Sequence, residues 1–450
     1  MKKIALVLLV LLAFSLRLYR INSPLLDWHS WRQADTSAVS RNFVKGGFDL
    51  LHPRFDDLSN IASGKDNPAG YRFVEFPFYN FFQAAAYKIF GRFSLEIWGR
   101  LVSIVFSLSS LLFLFGIAKY FWGERIAYLS ALFWAILPYN VYYGRVILPE
   151  PMLVFAGLGM IYFFVKKSIW PSLIFAVIAL LLKPFIAVYF LPLAYLAYRR
   201  KDRRFFLFIF SFLFLAIWRW WAGHFQVGVP VNLWLLNGNG IRFKGAFFYW
   251  LFAERIGRLI LGYWGLVLLG FGLAVKRVGK EGLFLLTWLV GVILYLFIVA
   301  TGNVQHDYYQ IILLPVICLY LAKGADYLIS THSYLLLAIS FLFMLSFSWY
   351  QIRDYFNFNN PVVVEAGRAV DRLVPPNAKV IAPYGGDTAF LYQTNRQGWP
   401  VGIEIEKMID KGAQYYINFN FGPETDWLEN TYRVVEKNNR WILIDLTEKK

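Results

Sequence analysis

The chain is organised by long apolar runs separated by polar segments of very unequal length. About eleven apolar segments fall at residues 4–19, 97–118, 126–143, 150–165, 171–183, 184–198, 205–222, 259–275, 282–300, 309–325 and 333–350. A helix that crosses a bilayer needs roughly 20 mostly apolar residues. The two shortest runs, 171–183 and 184–198, read as a tightly joined pair or as one span with a re-entrant piece. The first run resembles a signal peptide. No small-residue cleavage site precedes Arg17 and more spans follow, so it reads as a retained helix.

Three polar pieces stand apart: residues 20–96, 223–257 and the tail after Tyr350. In the first, "DTSAVSRNFVKGG" predicts a helix lying along a membrane surface, capped by Asp35 or Thr36 and ended by Gly46-Gly47. "YRFVEFPFYNFFQAAAYKIFG" predicts a second, with Pro77 near its start and Gly91 after its end. The tail predicts a small α/β domain. It has a helix at about 361–373, a strand at 378–383, a turn at Gly385-Gly386, and strands in "AQYYINFNF" and "RWILIDL".

Composition sharpens this picture. Hydrophobic residues make up 58% of the 450 and charged residues 16%, far from the usual soluble domain. The net charge of +17 raises the question of nucleic acid. Position answers it. Lys2, Lys3, Lys119, Arg125, Lys166, Lys167, "RRKDRR" (199–204), Lys276, Arg277, Lys280 and Lys323 all fall on one side if the spans alternate. Short loops rich in Lys and Arg stay cytoplasmic. The charge is therefore a topology signal and not a nucleic-acid footprint. The N-terminus is expected in the cytoplasm, and the three polar pieces outside it. Cys318 is the one cysteine, so no disulfide forms within the chain.

The ionisable groups collect at one set of helix ends and in the outer loops, which favours chemistry at the membrane surface over transport through it. The first outer loop holds Asp27, His29, Arg32, Asp35 and Glu75 in or beside "LLDWHSWRQADTSAVSRNF" and "VEFPFYNFF". "YYGRVILPEP" carries Arg145 and Glu150, "LLKPF" carries Lys183, and "TGNVQHDYYQIILLP" carries His306, Asp307 and Tyr308. Cations on short outer loops run against the positive-inside bias, and an anionic ligand such as a lipid phosphate would compensate. No paired-histidine spacing and no D-x-D occurs, so nothing in the spacing supports a metal; Asp27, His29 and Glu150 would hold one only if they meet in space.

Taken together, the acidic first outer loop, "VEFPFYNFF", the Arg145…Glu150 loop and "HDYYQIILLP" resemble the GT-C superfamily of membrane glycosyltransferases. The chain most resembles the bacterial branch that includes protein O-mannosyltransferase-like and aminoarabinose-transferase-like enzymes. The resemblance covers roughly residues 1–350. It implies a polytopic helical catalytic domain over 1–350 and an extracytoplasmic α/β domain over 351–450. It also implies a polyprenyl-phosphate sugar donor and a lipid, glycan or protein acceptor outside the cytoplasm. An acidic first-loop residue would act as base, and basic residues of later loops would hold the lipid phosphate. Family members commonly carry adjacent acids before the first surface helix. Here that place falls near Arg32-Gln33, so the base is open between Asp27 and Asp35, with His29 beside them. Rival readings are a lipid or lipid-linked-sugar flippase and a non-catalytic envelope assembly protein. A continuous polar path through the helices would favour the flippase.

Overall fold

The computed structural model describes residues 2–230, 233–276, 280–358 and 360–450; Arg277, one of the expected cytoplasmic cations, lies outside them. The chain divides into two compact units. The first comprises residues 1–21, 100–220 and 232–354, and the second residues 22–99, 221–231 and 355–450.

The first unit is helical. Among the described residues, four helices are long and apolar enough to cross a membrane: Leu95–Trp122, Arg203–Gly223, Asp307–Ser330 and one that starts at Tyr334. Gly245–Ile260 and Gly265–Ala274 pass the same test together, bent by 111° at their junction. Shorter apolar helices run over Ile4–Arg17, Glu150–Val165, Ile169–Leu182 and Phe284–Ile298.

One expected span, 126–143, is interrupted and another, 184–198, opens on a 3-10 turn, with proline the cause at both. The run 126–143 forms helices Glu124–Ile136 and Pro138–Tyr143, separated at Leu137, whose φ −55° and ψ 120° are extended. A residue before proline is pushed out of the helical region, and proline has no N–H to give. Arg17 caps the carbonyls around this break. It donates to Trp134 O (3.2 Å), Ala135 O (3.1 Å) and Asn140 O (3.2 Å) and is fully buried. Pro184 acts in the same way. Lys183 before it is extended (φ −151°, ψ 123°), and a 3-10 turn Pro184–Tyr189 precedes the helix Phe190–Arg200.

The second unit contains a five-stranded sheet. Its strands are β1 (Lys379–Ile381), β2 (Gln397–Trp399), β3 (Tyr415–Asn418), β4 (Tyr432–Lys437) and β5 (Ile442–Lys449), in the order β2-β1-β3-β5-β4. The β1 contacts are parallel, and β3–β5 and β4–β5 are antiparallel. Period-two alternation sorts its side chains. Val380, Ile417 and Leu443 pack on one face with Val363, Ala366 and Val370 of the helix Pro361–Leu373. Ile381, Tyr416, Ile442 and Ile444 pack on the other with Ile405, Met408 and Leu428. The helix predicted at 361–373 and the strands predicted in "AQYYINFNF" and "RWILIDL" are present. β2 and β4 carry too little pattern to be read from sequence.

Candidate functional site

The expected first-loop helix is real but starts earlier. It spans Ser30–Gly46, and its cap is His29 in the left-handed region (φ 57°). Asp35 therefore sits in the second turn and caps nothing. The amides of Arg32 and Gln33 bond His29 O at 3.1 and 3.2 Å, which anchors the earlier start. Residues Arg32 to Ser40 are all buried. The second helix, Phe78–Phe90, has Pro77 at its start and Gly91 (φ 59°) at its end, as the sequence indicates.

Within this unit the helix Ser30–Gly46 carries a buried polar network. Asp35 lies 2.6 Å from Nη2 of Arg72, and its other oxygen accepts from Thr388 Oγ1 at 2.7 Å. Arg32 Nη2 donates to both Glu75 oxygens, at 2.7 and 2.9 Å. Asn80 donates to Thr36 O at 2.6 Å. These groups line a polar cleft with room for about one water molecule, near 10 Å³. Burial pushes the Arg72 guanidinium below its ordinary range, and the charge of Asp35 opposes that. Asp27, 2% exposed, accepts from Gln33 Nε2 at 2.8 Å. Trp28 stacks on Tyr355 with centroids 4.7 Å apart, and His29 meets Trp28 edge-on.

Around this network two further acids stand out. Burial raises the Asp57 carboxyl to about 6 and the Asp387 carboxyl to about 6. Tyr392 donates to Glu96 at 2.5 Å and sits under the Arg41 guanidinium, 4.0 Å from its ring.

The first unit gathers the later-loop residues. Lys183 and Glu150 form a buried ion pair. The extended backbone ahead of Pro184 turns the amine off the helix, above the rings of Tyr309 (4.6 Å) and Tyr308 (5.4 Å). The second Glu150 oxygen, Oε2, is buried and has no hydrogen-bond partner among the described residues. Asp307 Oδ1 accepts from Tyr143 at 2.5 Å, Asp307 O accepts from Tyr139 at 2.5 Å, and Arg255 lies 3.6 Å from its carboxylate. His306 stacks on Tyr308 with centroids 5.4 Å apart.

Arg145 is fully buried. Its Nη1 donates to the carbonyls of Tyr19 (2.6 Å) and Arg20 (2.9 Å), and Arg100 donates to Ile21 O at 2.8 Å. With Arg17 these arginines tie off the end of the first helix. Among the described residues no three His, Cys, Asp or Glu side chains gather as metal ligands.

Sequence reasoning singled out neither Arg72 nor Thr388. Arg72 stands three residues before Glu75 in the segment already marked, and that proximity was the available signal. Thr388 lies in the tail, and only the tertiary fold brings it to Asp35.

The fold is similar to those of solved glycosyltransferase structures. The family described as dolichyl-phosphate-mannose-protein mannosyltransferase matches residues 68–221, about a third of the chain. ArnT from Cupriavidus metallidurans, solved bound to undecaprenyl phosphate, superposes with a TM-score of 0.70 at 13% identity over 97% of each chain. The arabinofuranosyltransferase AftD from Mycobacteria gives a TM-score of 0.63 at 13% identity, over 99% of this chain and 40% of its own. The oligosaccharyltransferase AglB from Archaeoglobus fulgidus, solved with an inhibitory peptide and a dolichol-phosphate, gives 0.54 at 11% identity, over 92% and 69%. The comparison with curated protein sequences gives no match.

Proposed function

We propose that this protein is a membrane glycosyltransferase. It takes a sugar from a polyprenyl-phosphate-linked donor and passes it to a lipid, glycan or protein acceptor at the extracytoplasmic face of the cell membrane, inverting the anomeric centre. The observation that carries this reading is the superposition, over 97% of both chains, on a protein solved with undecaprenyl phosphate. Residues 1–350 form the transmembrane catalytic domain and 351–450 an extracytoplasmic domain, with the N-terminus in the cytoplasm.

Asp27 is the base in this scheme. Both Asp35 oxygens already accept from strong donors, Arg72 and Thr388, which suits a scaffold role. Asp27 takes the acceptor hydroxyl proton. The acceptor oxygen bonds to the anomeric carbon, the bond from that carbon to the phosphate oxygen breaks, and polyprenyl phosphate leaves with the electron pair. Lys183 balances the charge that builds on the phosphate. Its amine rests on Tyr308 and Tyr309, and His306 stacks beside them. Phosphate is a good leaving group, so no second acid is required.

The test is mass spectrometry of envelope glycans from cells with and without the protein. A sugar modification lost without the protein and restored by the wild type supports the reading. Identical glycans in both strains overturn it.

A further inference from the structure

The first unit carries a cleft that the proposed chemistry does not use. It lies between the helix Ile169–Leu182 and the segment Arg203–Gly223 and has a volume of about 450 Å³. One wall is a stripe at every third or fourth residue from Trp170 to Ile178. The other is a matching stripe from Leu207 to Phe214. Both stripes are apolar except for Ser211, whose hydroxyl is spent on Phe208 O at 2.5 Å.

Both segments enter from the same end, and that end is basic. Lys166 and Lys167 precede the first, and "RRKDRR" (199–204) leads into the second. Arg200 joins the two loops. It donates to Phe164 O at 3.0 Å and to Val165 O at 3.2 Å. Arg204 is paired with Asp202. Lys166, Lys167, Lys201 and Arg203 are exposed around this junction. Trp170, 70% exposed, lines the cleft at this end, where aromatic rings settle at headgroup level.

We propose that this cleft binds an anionic glycerophospholipid of the leaflet in which these loops lie. Its phosphate is held by Lys166, Lys167 and Arg203, and one acyl chain fills the cleft. Length supports this occupant. The stripe from residue 170 to 178 rises about 12 Å, close to the depth of one leaflet, about half of a 30 Å hydrocarbon core. That suits an acyl chain better than a long polyprenyl chain. Charge supports it too, because clustered cations between helix ends attract acidic headgroups. The inference is independent of the sugar-transfer reading.

The test is native mass spectrometry of the full-length protein in detergent, offered phosphatidylglycerol or phosphatidylethanolamine with the same acyl chains. Phosphatidylglycerol adducts are expected to exceed phosphatidylethanolamine adducts by about tenfold. The triple variant Lys166→Ala, Lys167→Ala, Arg203→Ala should remove that preference with an unchanged melting temperature. Ile174→Trp, which fills the cleft, should reduce binding of both lipids. Equal retention of the two lipids by the wild type overturns the proposal. So does a triple variant that keeps the preference, or an Ile174→Trp variant that binds both lipids as the wild type does.

Discussion

Nη2 of Arg72 lies 2.6 Å from Oδ2 of Asp35, and Asp35 is only 3% exposed. Removing one member of a buried pair strands the other charge and costs several kcal/mol. Asp35→Ala is therefore expected to destabilise the protein by about 3 kcal/mol, read as a lower melting temperature in detergent. A melting temperature equal to wild type would show that Asp35 has no scaffold role.

Asp27→Asn should behave differently. The amide oxygen still accepts from Gln33, so folded protein should still be recovered. Transfer from a polyprenyl-phosphate sugar donor should fall by about a hundredfold or more, the usual loss for a missing base. Normal turnover by this variant would return the base assignment to Asp35.

Lys183→Met leaves Glu150 charged and buried, with Oε2 already lacking a partner among the described residues. It should cost about 3 kcal/mol of stability. Adding Glu150→Gln should recover most of that, because the stranded charge is gone, while transfer stays low. A double variant that recovers both stability and transfer would place the donor phosphate elsewhere.

The helices Gly265–Ala274 and Leu314–Ser330 approach through two glycines. A Cβ on Gly272 would lie 1.9 Å from Tyr320 O, and one on Gly324 would lie 1.9 Å from Leu268 O. Carbonyls cannot withdraw without breaking their own helices, so Gly324→Leu should abolish recovery of folded protein. Size-exclusion profiles and expression level check this. Gly270→Leu is the control, because its Cβ would meet nothing.

Asp57 and Asp387 carry pKa values raised by burial to about 6, above the 3.8 expected in the unfolded chain. Between those values the folded state binds more protons than the unfolded one. Their contribution is fully present below about pH 4 and is lost as pH rises through about 6. Asp57→Asn should flatten that part of the profile and raise stability near pH 7 by on the order of 2 kcal/mol. Melting curves from pH 4 to 7 measure it, and an unchanged slope would refute the assignment.

Much of the architecture was legible because its causes are local. Apolar length marks helices, prolines mark their starts, and Gly91 and the helix over 361–373 are written in neighbouring residues. The start of the first-loop helix was misjudged because Asp35 looks like a cap. His29, in the left-handed region, takes that place. Arg145 reads as a phosphate ligand because it is a cation on a short loop. Nothing local tells that its Nη1 donates to the Tyr19 and Arg20 carbonyls.

By itself the sequence determined the apolar helices, the charge asymmetry of their loops, and the set of acids and bases at their ends. Those follow from composition over windows of a few turns. Only the tertiary structure decided the partners: Asp35 with Arg72 and Thr388, Glu150 with Lys183, and Arg17 with the carbonyls around Pro138. A buried charge needs a counter-charge or donor within about 3 Å. Here that partner stands tens to hundreds of residues away along the chain, where no periodicity reaches.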